Sequence, residues 1–161
     1  MYKINDYVIY KRDVCIINSI KEKFMKNEDY YCISPISDKS LTINVPVNSN
    51  LLRDMISKER ALEIISNIPS ISAIDSNDKS LENIYKELLN TEDELDLVRI
   101  IKTTYLRNKD RVDHGKKIGD KDDTYFKKAE SCLYNLLRIP LNMSYDECKN
   151  FIIESLSNNK E

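Results

Sequence analysis

Glycine, histidine and tryptophan are almost missing from this chain of 161 residues, which has two glycines, one histidine and no tryptophan. The two glycines, Gly115 and Gly119, lie in one charged stretch, so the sequence has no glycine-rich loop of the kind that holds nucleotide phosphates. The histidine, His114, lies beside them, and no nucleophile motif pairs it with a serine or a cysteine. The sequence therefore predicts no catalytic residues and a chain that is not an enzyme.

Long apolar runs and paired cysteines are also missing. No stretch has the roughly 20 apolar residues of a membrane helix, and the first residues lack the pattern of a signal peptide. The four cysteines are widely spaced, without a C-x-x-C pair. Asp120, Asp122 and Asp123 lack the glycine and the final glutamate of a calcium loop. We expect a protein of the reducing cytoplasm with no membrane association, metal, cofactor or small-molecule substrate.

The first fifty residues have the pattern of short β-strands. Four segments alternate in polarity or are rich in β-branched and aromatic residues, with turn-forming clusters between them: Tyr7–Tyr10, Val14–Ile17, Tyr30–Ile33 and Leu41–Val45. Four or five such strands without an intervening helix predict a small antiparallel barrel. Pro46 has no N–H to donate to a neighbouring strand, so it should end the last long strand or place that strand at a sheet edge.

After Ser57 the apolar residues recur with the period of an α-helix. Ser57 can cap a first helix, and two four-residue motifs are typical of later helix starts. These motifs are a T-x-x-E box at Thr91 and Glu94 and an S-x-x-E box at Ser144 and Glu147. The second half of the chain therefore predicts a small helical bundle.

The change of period divides the chain into two predicted domains. We place the β-barrel domain at residues 1–68, a linker at about residues 69–77, and the helical domain at residues 78–161. The predicted fold class is α+β, with a small Tudor/SH3-like antiparallel β-barrel followed by an all-α helical bundle.

Charge is segregated within the helical half. Residues 75–96 hold eight acidic residues and two lysines, whereas residues 99–121 hold eight basic residues and three acidic ones. One interpretation is that acids open helices and bases close them, which complements the helix dipole. The other is a patch that contacts DNA phosphates, because the basic run continues past the helix end. The candidate DNA-binding residues are Arg99, Lys102, Arg107, Lys109 and Arg111.

Four short motifs occur in a set order along the chain. Residues 4–10 are similar to V-G-D-x-V-V-Y, residues 41–46 to L-x-V-x-V-P, residues 52–57 to L-R-x-x-I-S, and residues 100–107 to V-V-R…R. These motifs are those of the CarD-type transcription regulators, whose N-terminal module also occurs in transcription-repair coupling factors. The chain resembles this family, with Asn5 in place of a usual glycine, and asparagine tolerates a positive φ better than other non-glycine residues.

The resemblance implies a partner and a docking mode. In this family the N-terminal Tudor-like barrel docks on the RNA polymerase β subunit by adding its edge strand to a sheet there. The implied polymerase-binding residues are Lys23, Leu41, Thr42, Ile43, Asn44, Val45 and Pro46. Lys23 and Asn44 fall where the family carries basic residues, so one rim ion pair is lost. Such a pair is worth only about 0–1 kcal/mol, and docking should survive its loss.

The resemblance also implies that the helical half contacts promoter DNA, where the family inserts a tryptophan into the minor groove. Asp78 falls near that position in this chain. We expect a bacterial transcription regulator that binds the RNA polymerase β subunit and modulates promoter open-complex stability, with weak phosphate contacts to promoter DNA. The alternative is a polymerase adaptor that binds protein only. An RNA-binding barrel is a third possibility, which is disfavoured because Tyr30 and Tyr31 should face opposite sides of one strand without a basic and aromatic platform.

Overall fold

The computed structural model describes residues 1–157, without the side chains of Asp78 and Ser157. Within these residues, a five-stranded antiparallel sheet precedes five α-helices, which confirms the α+β prediction. The chain divides into two compact units, Met1–Ile56 and Ser57–Glu161. The last residues of the predicted helical domain, 158–161, lie outside the described residues.

The sheet unit builds its core from alternate residues of neighbouring strands. The strands are β1 (Tyr7–Tyr10), β2 (Asp13–Met25), β3 (Glu28–Pro35), β4 (Ile43–Pro46) and β5 (Leu52–Asp54), in the spatial order β4-β3-β2-β1-β5. The buried core consists of Val8, Cys15, Ile17, Tyr31, Ile33 and Val45. β4 ends at Pro46 and lies at one end of the sheet, which confirms both expectations for that proline. Leu41 and Thr42, expected within this strand, precede it.

Asparagine and lysine take the left-handed backbone conformations that this sheet needs. Asn5, which stands where the similar family has glycine, has a φ of 77°, in the region that favours glycine. Lys26 and Asn27 form the turn between β2 and β3 with φ values of 51° and 61°. Two successive positive φ angles are typical of a type I′ turn, whose twist matches that of the strands it joins.

Five helices and a short 3₁₀ turn form the second unit. They are α1 (Lys58–Asn67), the 3₁₀ turn (Ile68–Ser70), α2 (Asp78–Leu89), α3 (Glu94–Asp113), α4 (Asp120–Leu141) and α5 (Tyr145–Ser157). Two predicted caps are confirmed. The Ser57 hydroxyl accepts a hydrogen bond from the Arg60 N–H at 3.0 Å. Ser144 and Glu147 cap each other's backbone N–H groups at 3.1 and 3.2 Å.

The predicted capping box at Thr91 and Glu94 is wrong. Asp93 caps α3 instead, and its carboxylate accepts the Leu95 N–H at 2.9 Å. The Thr91 hydroxyl bonds to Asp96 at 2.7 Å, while the buried Glu94 accepts a hydrogen bond from Arg60 at 3.0 Å. An aspartate is as good an N-cap as threonine or better, and its position one residue before Glu94 decides where the helix begins.

The unit boundary of the structure lies before α1, whereas the sequence predicts it after Ile68. α1 packs against α3 and α4, and Ala61 and Ile64 are fully buried, so its apolar side belongs to the helical core. Residues 71–77, most of the predicted linker, have no helix or strand. The Ile74 N–H donates to the Thr103 hydroxyl of α3 at 2.8 Å, which attaches this segment to the helical unit.

A buried carboxylate joins three helices of this unit. Asp122 of α4 is 4% exposed, and its oxygens accept hydrogen bonds from Tyr85 of α2 at 2.8 Å and from Arg107 and Arg111 of α3 at 2.8 and 2.7 Å. Burial opposes ionisation of this carboxyl, but the three donors outweigh it and hold the pKa of Asp122 below its usual value. A side chain at Gly119 would place Cβ 2.5 Å from the Arg111 guanidinium, so it would displace that guanidinium from its present position beside Asp122.

Replacing Asp122 with asparagine should therefore destabilise the helical unit. We expect the free energy of unfolding to fall by roughly 2–4 kcal/mol, because two arginines lose their buried anionic partner. The loss should not be larger, because both arginine side chains remain partly exposed to solvent. Because the pKa of Asp122 is lower in the folded protein than its ordinary value of 3.8, ionised Asp122 stabilises the fold at pH values above 3.8. This stabilisation is lost as the pH falls through the pKa of folded Asp122. Urea unfolding should show acid destabilisation below about pH 4 that is weaker in Asp122→Asn.

Asp123→Asn is the matched control, because Asp123 pairs with Lys127 at 3.0 Å and that lysine is 69% exposed. A surface pair of this kind should contribute only about 0–1 kcal/mol. Equal losses of stability in the two variants would contradict the central role of Asp122.

Candidate functional site: an open strand edge

The hydrogen-bond alternation of β4 determines which of its backbone groups face β3. The two strands pair with the register Tyr31↔Val45, Cys32↔Asn44 and Ile33↔Ile43. The Val47 N–H donates to the Asp29 carbonyl at 3.1 Å, which continues this register by one bonded pair. Bonded and non-bonded pairs alternate in an antiparallel ladder. Therefore Val47, Val45 and Ile43 direct their backbone polar groups towards β3.

The residues between them direct their backbone groups away from β3. Asn44 presents one N–H and one C=O on the outer side of the strand, and Pro46 presents only a C=O because proline has no N–H. Thr42 has the same parity and precedes the strand. The outer edge of residues 42–46 therefore offers alternate donors and acceptors to an added strand.

The side chains of this edge leave it unprotected by charge. Val45 is 3% exposed and Ile43 packs against the core cluster, whereas Asn44 is exposed. Residues 41–46 contain no charged side chain. Natural edge strands are usually shielded by shortness, charge, proline, bulges or a covering element. β4 is short, at four residues, and ends at Pro46, but it carries no charge. An uncharged edge of this kind is a template for strand addition.

An aromatic and cationic cluster lies at the Pro46 end of the sheet. Tyr30 stands opposite Pro46 on β3, the Phe24 ring packs edge-on against Tyr30 at 5.6 Å, and the Lys21 ammonium lies 4.5 Å from the centre of the Phe24 ring. Tyr30 itself is only 8% exposed, so the cluster does not offer this ring for base stacking. The sequence did not predict the cluster, because Phe24 approaches Tyr30 only through the register shift of β2 between Lys21 and Met25.

Lys23, the implied polymerase contact, lies within that register shift. Its φ is 47°, and its backbone N–H donates to the Asp29 carboxylate at 2.9 Å. Its side chain is exposed. The structure thus places Lys23 on the β2–β3 hairpin, which extends beyond the Pro46 end of β4.

Lys102, a candidate DNA contact, is buried. It is 8% exposed, and its ammonium donates to the carbonyls of Ile71, Ile68 and Pro69 at 2.6, 3.1 and 3.4 Å. Burial lowers the pKa of Lys102. This lysine satisfies carbonyls at the end of the first helical segment, where a cation also complements the helix dipole, and it does not offer its ammonium to a phosphate.

The other candidate DNA contacts do not form one exposed patch with it. Arg107 and Arg111 hold Asp122, with 29% and 27% of their side chains exposed. Arg99 is 43% exposed and lies 4.0 Å from Asp96. Lys109 is half-buried and lines a cleft of about 380 Å³ between α3 and α4. Lys102, Arg107 and Arg111 therefore bind acceptors within the fold.

His114, the one histidine, binds within its own helix. His114 ends α3, and its Nδ1 lies 2.8 Å from the Asp110 carbonyl, which raises the pKa of this exposed imidazole. Among residues 1–157, no three histidine, cysteine, aspartate or glutamate side chains are placed to hold a metal ion. None of the helices in the described part of the chain has the length and apolar content that a bilayer span requires.

Neither a protein-family model nor a curated protein matches this chain. The resemblance to the CarD-type regulators thus depends on the four motifs alone.

The ladder geometry predicts a difference in exchange between neighbouring backbone amides. In dilute protein, the Asn44 amide should exchange with solvent at least about tenfold faster than the amides of Ile43 and Val45, which donate to β3. Hydrogen–deuterium exchange with residue-level mass spectrometry measures this directly. Similar protection of Asn44 and Val45 would mean that the outer edge is covered within the monomer.

Proposed function

We propose that this chain is a non-catalytic regulator of bacterial transcription that binds the RNA polymerase β subunit through the outer edge of β4 and modulates promoter open-complex stability. The observation that carries the proposal is the uncharged edge strand whose Asn44 backbone groups point away from β3. The order of the four CarD-type motifs supports the choice of partner. In this proposal the five strands curl into a small Tudor-like barrel that stays open between β4 and β5, the two ends of the strand order β4-β3-β2-β1-β5.

The geometry of β4 defines what the partner strand requires. A residue opposite Asn44 would exchange two backbone hydrogen bonds with it. Partner side chains opposite Ile43 and Val45 would extend the apolar face of the sheet, so they should be apolar themselves. Lys23 lies on the hairpin beyond the Pro46 end and would meet an acidic residue of the polymerase at the rim.

Removing the outward donor should weaken docking. We expect Asn44→Pro to weaken binding to the isolated polymerase β lobe by at least about tenfold, because one ladder hydrogen bond is lost and the proline ring obstructs the incoming strand. Asn44→Ala is the matched control: it removes the side chain but keeps the N–H, and should bind within about threefold of wild type. Calorimetry or biolayer interferometry with the full chain measures both.

The same experiment separates docking from folding. Ile43→Pro would not serve as the test, because the Ile43 N–H donates to β3 and its loss would disturb the sheet itself. Unchanged affinity of Asn44→Pro, with an unchanged circular dichroism spectrum, would exclude strand addition at β4.

A second candidate function, a polymerase adaptor that does not touch DNA, is favoured by the burial of Lys102 and by the pairing of Arg107 and Arg111 with Asp122. Removing these cations from the fold to meet phosphates would leave buried acceptors unsatisfied. Apart from Lys102, which binds backbone carbonyls, Arg99 and Lys109 are the candidate DNA contacts outside the Asp122 network.

The adaptor reading predicts that these two residues are dispensable at promoters. We expect the double variant Arg99→Glu with Lys109→Glu to leave the lifetime of polymerase–promoter open complexes within about twofold of wild type, at saturating protein, because lost phosphate contacts would shorten it several-fold at low salt. If the double variant instead gives a shorter open-complex lifetime that depends less on salt, the result would contradict the adaptor hypothesis and favour a DNA contact. Binding of both proteins to the β lobe is the control for docking.

A further inference from the structure

We propose that β4 also pairs with β4 of a second copy of this chain, forming an antiparallel two-fold dimer centred on Asn44. This inference does not depend on the identity of the transcription partner. In an antiparallel bonded pair, each residue gives its N–H to the other residue's C=O. The outward N–H and C=O of Asn44 can therefore meet the same two groups of a second Asn44 across a two-fold axis.

The residues on either side of Asn44 fit the same register. Thr42 faces Pro46 of the other copy, so the Thr42 N–H can donate to the Pro46 carbonyl. The reverse hydrogen bond, from residue 46 to the Thr42 carbonyl, is not formed because proline has no N–H. Ile43 faces Val45 of the other copy on the core side of the sheet. Because Ile43 packs against the core cluster and Val45 belongs to it, the two apolar faces would become continuous.

The absence of charge on the strand is the second argument for self-pairing. A two-fold axis brings each residue at its centre against its own copy, so any charge at position 44 would face a like charge. Residues 41–46 carry no charged side chain. The exposed Asn44 amide both donates and accepts hydrogen bonds, which makes this side chain complementary to itself.

The short edge sets the strength and the consequence of the dimer. A strand of four residues buries far less surface than the roughly 1,200 Å² of a stable interface, so the dimer should be weak and depend on concentration. Self-pairing occupies the same Asn44 groups that strand addition by another protein would use. The dimer is therefore a form of the protein whose docking edge is closed.

Charge reversal at the axis tests the pairing. We expect sedimentation velocity of the full chain to show a concentration-dependent dimer, and Asn44→Lys alone or Asn44→Asp alone to raise its dissociation constant by about tenfold or more. An equal mixture of the two variants should form the dimer again, because opposite charges then meet across the axis. Unchanged circular dichroism spectra show that the variants fold.

Backbone exchange gives an independent readout at the same residues. The Asn44 amide should gain protection between dilute and concentrated wild-type protein, while the Val45 amide, which donates to β3 in both states, should not change. A wild-type protein that stays monomeric at the highest concentrations would overturn the proposal. So would a dimer that Asn44→Lys leaves intact, or variant mixtures that do not associate. Polymerase is absent from these measurements, so a failure of the proposed polymerase binding would not change the result for the dimer.

Discussion

The helical unit depends on the buried carboxylate of Asp122, which accepts hydrogen bonds from Tyr85, Arg107 and Arg111 and so joins α2 and α3 to α4. A buried charge without such partners costs several kcal/mol, and the two guanidinium groups therefore have to remain where they are. Lys102 is constrained in the same way by the carbonyls at the end of the first helical segment. Much of the basic character of α3 is thus used within the fold.

In the sheet unit, the requirement that polar groups find hydrogen-bond partners leaves one strand with free groups at its outer edge. A strand satisfies only half of its backbone groups through one neighbour, and β4 has a neighbour on one side. Its unused groups recur at every second residue, with Asn44 in the centre. In the helical unit, Lys102, Arg107 and Arg111 bind acceptors within the fold. The sheet unit instead ends in backbone groups that require water or another strand, and for this reason we propose the sheet as the binding surface.

Local patterns allowed most elements of the fold to be predicted. Alternation and β-branched residues marked the strands, Pro46 marked the edge, and Ser57 and Ser144 marked two helix starts, because each of these signals acts through neighbouring residues. The burial of Lys102 could not be predicted in this way. A lysine in a basic run has the same local sequence whether it is exposed or buried against carbonyls 31 to 34 residues away. The cluster of Phe24 with Tyr30 likewise depends on a register shift that no local pattern specifies.

The two open edges of the sheet differ in what their pairing would build. Two copies that pair β4 with β4 form a closed two-fold dimer, because each copy uses its β4 edge and no β4 edge remains for a third copy. Pairing of β4 with β5 between copies would be heterologous and would extend into a filament. β5 opposes this outcome, because it is only three residues long and carries Arg53 and Asp54, and both shortness and charge protect an edge. In both proposals association therefore uses the β4 edge, where self-pairing and partner docking would exclude each other.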